Sequence, residues 1–382
     1  MSIPASLPLE GVRVLDLSRL VAGNMLTLQL ADFGAEVIKI ESAQGDTLRD
    51  WKNDGKSLWW KVYGRNKKSV CLDLKSESGR SKLLALLPQA DVVVESFRTG
   101  GMEKFGLGPE VLHGVNPKLV IVRISGWGQS GPYSDKPGFG TVIEAFSGFA
   151  EKNGFPDKPP ALPNLGLADM ISGLSGAFAT MVALREVEVN NGAGQVVDLS
   201  LLEPIIGILG PDAAIYQHTG EKPKRLGNRA ENAAPRNAYK CLDGQWLVMS
   251  GSTQRMAERI MKAIGCGHLV DDPRFSTNAA RIENVEKLDE FIGDFVGRRS
   301  QKQNLEHFEL HQVTVGPVLS VDALMQNEHV RQRQVLTEVP DGELGSVLMH
   351  NVFPRLSRTP GLIRSASPQL GEHQDLVGGE FP

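Results

Sequence analysis

Short apolar runs alternate with helix-length segments through the first third of this chain, and that alternation narrows the fold more than anything else in the sequence. The run VRVLDL at 12–17 gives way to a helical stretch at 22–33, Gly34 supplies the stop, and AEVIKI at 35–40 resumes extended. A second cycle follows, with a strand at 69–74, a helix at 77–87 and a strand at 91–95, and 117–124 adds another buried strand. Short apolar strands spaced by helices predict an α/β fold built on an open, mostly parallel sheet covered on both faces. Ligands of such sheets gather beyond the carboxyl ends of the strands, so a site is expected just after residues 17, 40, 74, 95 and 124.

Between 125 and 163 glycine and proline are dense, which predicts a loop-rich connector. It leads into 166–185, where apolar residues at helical spacing are mixed with small ones that permit close packing against a neighbour. Asp169 falls in the first turn of that helix. A carboxylate there meets unpaired backbone N–H groups and the positive end of the helix dipole. From about 222 to 233 the chain turns polar and basic, so a boundary is expected there, followed by a compact smaller domain ending near 318. At 382 residues the chain is long enough for one large core and a second smaller one.

The remaining composition works by exclusion. A net charge of -4 offers no general attraction to nucleic acid or to anionic membranes. Cys71, Cys241 and Cys266 are odd in number and far apart, which predicts neither disulfides nor a zinc site. His307 and His311, four apart, read as an exposed helix face, and no metal is expected. The amino terminus lacks the pattern of a signal peptide, and no apolar run is read as approaching the roughly 20 residues needed to cross a bilayer, so the expectation is a cytoplasmic protein. LSRLVAGN at 17–24 has a single glycine, Gly23, where a dinucleotide cradle needs three, so a nicotinamide oxidoreductase is disfavoured. Walker, nucleophile-elbow and His-Glu-x-x-His motifs are likewise missing from the sequence.

The segment LADMISGLSGAFA at 167–179 resembles the nucleophile helix of family III coenzyme A transferases, the CaiB/BaiF type. The likeness extends to GVRVLDL at 11–17, ADFGAEVIKIE at 31–41, NKKSVCLDLK at 66–75, VESFR at 94–98, GPYSDKPG at 131–138 and RLGNR at 225–229. The resemblance implies a Rossmann-like large domain (1–222) carrying Asp169 as covalent nucleophile, a small α+β domain (223–318), and a segment (319–382) that returns to the large domain. It also implies an interlocked homodimer. The reaction implied moves coenzyme A from an acyl-CoA thioester to a free carboxylic acid through an aspartyl anhydride and an aspartyl-CoA thioester, which conserves the thioester's free energy in easier steps. Coenzyme A is then a co-substrate, with no tightly bound cofactor.

By the same resemblance, Lys75 and Lys104 would meet the phosphates or the adenine end of coenzyme A. Leu72, Phe97 and Phe105 would line the nucleotide, and Arg98 and Lys136 are further cations. The family's glycine-rich closing loop corresponds to Ser250, Gly251 and Ser252, with one glycine where the formyl-CoA branch has several. Many members carry an acid where this chain has Gly140, and the oxalate-handling branch has a glutamine where it has Val21. Formyl or oxalyl transfer is therefore disfavoured. The branch points to a dicarboxylate such as succinate, with Arg19 and Lys39 as nearby cations. Two alternatives remain. A 2-methylacyl-CoA racemase of the same fold needs an acid and a base on opposite faces of the substrate, which Phe139 and Gly140 do not supply. A non-catalytic coenzyme A-binding subunit of an unequal pair would not need Asp169.

Overall fold

The computed structural model describes residues 6–379. Six strands form one wholly parallel sheet: β1 (Arg13–Leu17), β2 (Glu36–Glu41), β3 (Lys67–Cys71), β4 (Val92–Glu95), β5 (Val120–Ser125) and β6 (Val196–Ser200), in the spatial order 3-2-1-4-5-6. This is the open α/β sheet expected from the alternation of strands and helices, in the doubly wound order that leaves a crevice where the winding reverses between β1 and β4. The sixth strand was not foreseen. Val196 and Asp198 are exposed, so its pattern lacks the continuous apolar run that marks the central strands.

Helix α1 (Leu20–Asp32) follows β1, α2 (Gly140–Phe146) lies within the connector that read as loop, and α3 (Leu167–Asn190) is the long helix that carries Asp169. One apolar cluster joins α1, α3 and one face of the sheet through Val14, Leu26, Val94, Val122, Ala177 and Leu184. Leu15, Ile38, Leu83, Val93, Leu112 and Ile121 form a second cluster on the opposite face. Small residues let α3 lie close on α1. A Cβ on Gly173 would come within 2.7 Å of Met25 Cβ and 2.8 Å of the Ala22 carbonyl, so only glycine permits this approach.

By length and composition α3 could cross a membrane. Counted as an unbroken apolar run it falls short, because Ser172, Gly173, Ser175, Gly176 and Thr180 interrupt it. Of these, Gly173 is buried against α1, while Leu174, Phe178 and Val182 on the same helix are exposed.

The chain divides into two compact units. Among the described residues, the first contains those up to Phe149, Leu162–Asp212 and those from Gln332 onward. Its carboxyl-terminal part is tied to the edge strand β3: the His373 N–H donates to the Ser69 carbonyl, and Gln374 bonds both the N–H and the carbonyl of Cys71. The second unit, Ala150–Ala161 with Ala213–Arg331, has a three-stranded antiparallel sheet of β7 (Arg236–Lys240), β8 (Trp246–Ser250) and β9 (Val315–Pro317). Helices Gln254–Ala263, Val285–Val296 and Gln301–Leu310 pack with it around Leu247, Ile260, Phe275, Leu288 and Phe308.

Behind the loop that follows β1 lies a fully buried charge network. The Lys39 ammonium sits 3.1 Å from Asp16 and 2.9 Å from Asp46, and Lys67 lies 3.4 Å from the other Asp16 oxygen. Burial alone would raise the Asp16 carboxyl; Lys39 and Lys67 overcome it and hold the group below its ordinary range. Burial, with Lys39 alongside, pushes Lys67 down to about 8 against the attraction of Asp16. Removing one member strands the others without compensation, so Asp16→Ala is expected to lower the unfolding free energy by about 3–5 kcal/mol, measured by urea denaturation.

Candidate active site

The network has a positional consequence. The Asp16 carboxylate accepts from the Ser18 N–H and hydroxyl, and Asp46 accepts from the Leu20 N–H at 2.9 Å, holding Leu20 at φ 62° as α1 begins. The Arg19 N–H donates to the Ser96 hydroxyl at 2.8 Å, which ties the loop after β1 to the loop after β4 across the switch point of the sheet. The first turn of α1 thus begins at the place where such folds bind ligands.

Asp169 comes to that turn from α3. Its carboxylate accepts from its own backbone N–H and from the N–H of Ala22, so the starts of two helices converge on it. Donors of this kind favour the ionised form. They are outweighed: burial first, and the charge of Glu144 second, push the Asp169 carboxyl up to about 6. A half-buried carboxylate held in place yet more basic than usual is suited to act as a nucleophile.

Gly140, the first residue of α2, explains how Asp169 fits. A Cβ there would lie 2.2 Å from Asp169 Oδ2, so the carboxylate fills the space that any other side chain would take. One helical turn further on, Glu144 is buried and its Oε1 accepts from the Ala168 N–H at 3.1 Å. The loop leading into α2 is braced by Trp127, Tyr133 and Phe146, whose ring centroids are 4.9–5.7 Å apart, and by the Trp127 indole N–H on the Pro137 carbonyl. The sequence pointed to Asp169 but not to Glu144 or the Ala22 N–H. The signal for Glu144 is an acid four residues past Gly140, legible only once 140–146 is known to be helical.

The other sequence-derived residues are distributed as follows. Phe97 and Phe105 meet edge to face with centroids 5.6 Å apart, beyond the carboxyl end of β4, and both pack on the cluster that contains the buried Leu72. Lys75, Arg98 and Lys104 are exposed near the same edge of the sheet, after β3 and β4. Lys136 lies with its ammonium 3.5 Å above the Tyr133 ring. Ser250, Gly251 and Ser252 follow β8 in the second unit, where the two serine hydroxyls are 2.9 Å apart and the Gly251 N–H donates to the Pro235 carbonyl. Lys39 has no accessible surface and its ammonium is taken by Asp16, Asp46 and the Ser18 carbonyl, so it does not meet a substrate. Arg19 remains exposed. Among the described residues no group of three or more His, Cys, Asp or Glu side chains is placed to hold a metal ion.

Comparison with known proteins decides the family. The model described as CoA-transferase family III matches residues 9–374. This chain belongs to that family. The family III chain is 39% identical over 380 residues to the succinyl-CoA–D-citramalate CoA-transferase of Chloroflexus aurantiacus, covering 97% of this chain and 94% of that one. It is 33% identical to the succinate–glutarate CoA-transferase of Agrobacterium fabrum, with 98% and 96% covered. A crystal structure of a CAIB/BAIF family protein from Brucella suis superposes with a TM-score of 0.86 at 30% identity, over 97% of this chain and 98% of that one. The protein is therefore an enzyme, a CoA-transferase with coenzyme A as co-substrate.

Proposed function

We propose that this transferase passes coenzyme A between dicarboxylic acids by a ping-pong exchange on Asp169. An Asp169 oxygen attacks the thioester carbonyl of the donor and expels coenzyme A thiolate, leaving a mixed anhydride. The thiolate attacks the aspartyl carbonyl, the donor acid leaves as carboxylate, and an aspartyl-CoA thioester remains. The acceptor carboxylate attacks that thioester to give a second anhydride, which the thiolate opens at the acceptor's carbonyl, returning Asp169 as carboxylate. The observation that carries this reading is the Asp169 carboxylate itself, half-buried where two helices begin and raised to about 6.

The choice of dicarboxylates rests on relatives named for citramalate, malate and glutarate, and on the exposed Arg19 at the switch point, whose guanidinium suits a second carboxylate. Lys75, Lys104, Arg98 and Lys136 are proposed for the phosphates of coenzyme A, with Leu72, Phe97 and Phe105 for the nucleotide. Residues 250–252 are proposed as the loop that shields the anhydride from water. We also place the working enzyme in the cytoplasm as a homodimer. Its three free cysteines suit a reducing compartment, and Leu174, Phe178 and Val182 leave an apolar stripe on α3, with Phe178 72% exposed, that a second copy would cover.

The test incubates the purified chain with succinyl-CoA and a panel of citramalate, malate, glutarate and monocarboxylic acids. Mass spectrometry should find new acyl-CoA only with the dicarboxylates, and a hydroxylamine-sensitive adduct on Asp169. No exchange with any acid would overturn the reading, and exchange that needed an added second chain would replace the homodimer with an unequal pair, as in the relatives named as alpha and beta subunits.

A further inference from the structure

Glu144 has no part in the exchange as written, yet it is one of the few acidic side chains in the first unit that are both fully buried and without a cationic partner in a salt bridge. Its position relative to the nucleophile is fixed by geometry. The point that a Cβ on Gly140 would occupy lies 2.2 Å from Asp169 Oδ2 and 3.8 Å from Glu144 Oε1. The two carboxylate oxygens are therefore no further apart than the sum of those distances, about 6 Å, inside the range over which like charges act strongly on one another. Glu144 cannot swing away freely, because its Oε1 is held by the Ala168 N–H, the peptide group next to Asp169.

We infer that Glu144 is a positioning residue for the nucleophile: from one turn along α2 it supplies the negative charge that no side chain at position 140 can supply without displacing Asp169. The inference rests on Asp169 being the nucleophile. Two consequences follow from its chemistry. A neighbouring anion destabilises the free Asp169 carboxylate, which makes its oxygens more basic and more willing to attack a carbonyl. Once Asp169 is acylated, as anhydride or as thioester, its charge is gone and so is the repulsion; each neutral covalent intermediate is favoured relative to the free carboxylate. The hydrogen bond to Ala168 meanwhile fixes the first turn of α3, which sets where Asp169 points.

The charges around Asp169 make Glu144 the decisive one. From α1 it receives the Ala22 N–H, and the buried acids behind that turn, Asp16 and Asp46, are both paired with Lys39. Asp198 on β6 and Glu203, on the helix Leu202–Ile208 beside α3, are exposed, and the rise at Asp169 comes from burial and Glu144.

Glu144→Gln keeps the size and the acceptor oxygen for Ala168 while removing the charge. In the wild-type protein, carboxyl-carbon NMR of Asp169 and the acidic limb of the kcat/KM profile should both titrate near 6. In Glu144→Gln both should move down by about one unit, with acyl transfer at neutral pH slowed by about tenfold, and Glu144→Asp should move the limb back up. An Asp169 titration that stays at its wild-type midpoint in Glu144→Gln overturns the inference. Should that variant fail to fold, the wild-type NMR titration still tests the inference, since a midpoint in the ordinary carboxylate range overturns it. Asp169→Asn, assayed alongside, separates the two readings: retained exchange removes Asp169 as nucleophile, whereas lost exchange with an unmoved titration in Glu144→Gln removes only the role of Glu144.

Discussion

Asp169→Asn is expected to reduce CoA exchange by about 10⁴- to 10⁶-fold, the loss seen when a covalent nucleophile is removed from a group that works as a unit. The amide has nearly the same shape and its oxygen can still accept from the Ala22 N–H, so the starts of α1 and α3 should stay as they are. Stability should move the other way. A carboxyl raised to about 6 in the folded protein contributes stability that is fully present below its unfolded value, 3.8, and is lost as the pH rises through about 6. At neutral pH the ionised group is a net burden, and the neutral amide removes it. Linkage sets an upper bound of about 3 kcal/mol on the gain, and partial solvent access at Asp169 reduces it to about 1 kcal/mol. Kinetics and thermal denaturation on the same sample test both halves. An inactive variant that is also markedly less stable would mean that the carboxylate serves the fold rather than the reaction.

That opposition between activity and stability marks what was legible in the sequence. The sheet could be read because its central strands are apolar on both faces and separated by helices of ordinary length, so 12–17, 35–40, 91–95 and 117–124 correspond to β1, β2, β4 and β5, while 69–74 overlaps the edge strand β3 only at 69–71. Strand β6 escaped because Val196 and Asp198, two of its five side chains, face solvent. That Asp169 lies in the first turn of a helix could be read because a helix start is a local pattern, whereas its proposed role came only from the likeness of 167–179 to the family's nucleophile helix. Its partners could not, because each is supplied by packing over a distance in sequence. Ala22 contributes only a backbone N–H, and Glu144 becomes a neighbour only because α2 forms within a connector dense in glycine and proline. Lys39 illustrates the converse. As a cation near the end of a strand it suggested substrate binding, but the fold encloses it between Asp16 and Asp46, where it holds the loop that begins α1.

Gly140 is where local and long-range information disagree most, and it yields the second large effect. Read as sequence, Gly140 looks like a missing acid, which suggests that Gly140→Glu would restore something. In the structure the space beside it is already occupied by the Asp169 carboxylate, 2.2 Å from where any Cβ would begin. Even Gly140→Ala must turn Asp169 Oδ2 away from its seat, and a displacement of about 1 Å in a reacting group costs about 100-fold in rate. The backbone itself does not resist the change. Gly140 lies at the start of α2, outside the left-handed region, and alanine there should leave helix stability equal or higher by up to about 1 kcal/mol. Gly140→Ala should therefore fold as well as the wild-type protein while CoA exchange falls by about 100-fold, and Gly140→Glu, with a longer side chain and a second charge against Asp169, should be slower still. Equal or faster exchange in Gly140→Glu would show that Asp169 yields its position freely, and then neither its seat between two helix starts nor the charge of Glu144 would matter to the reaction.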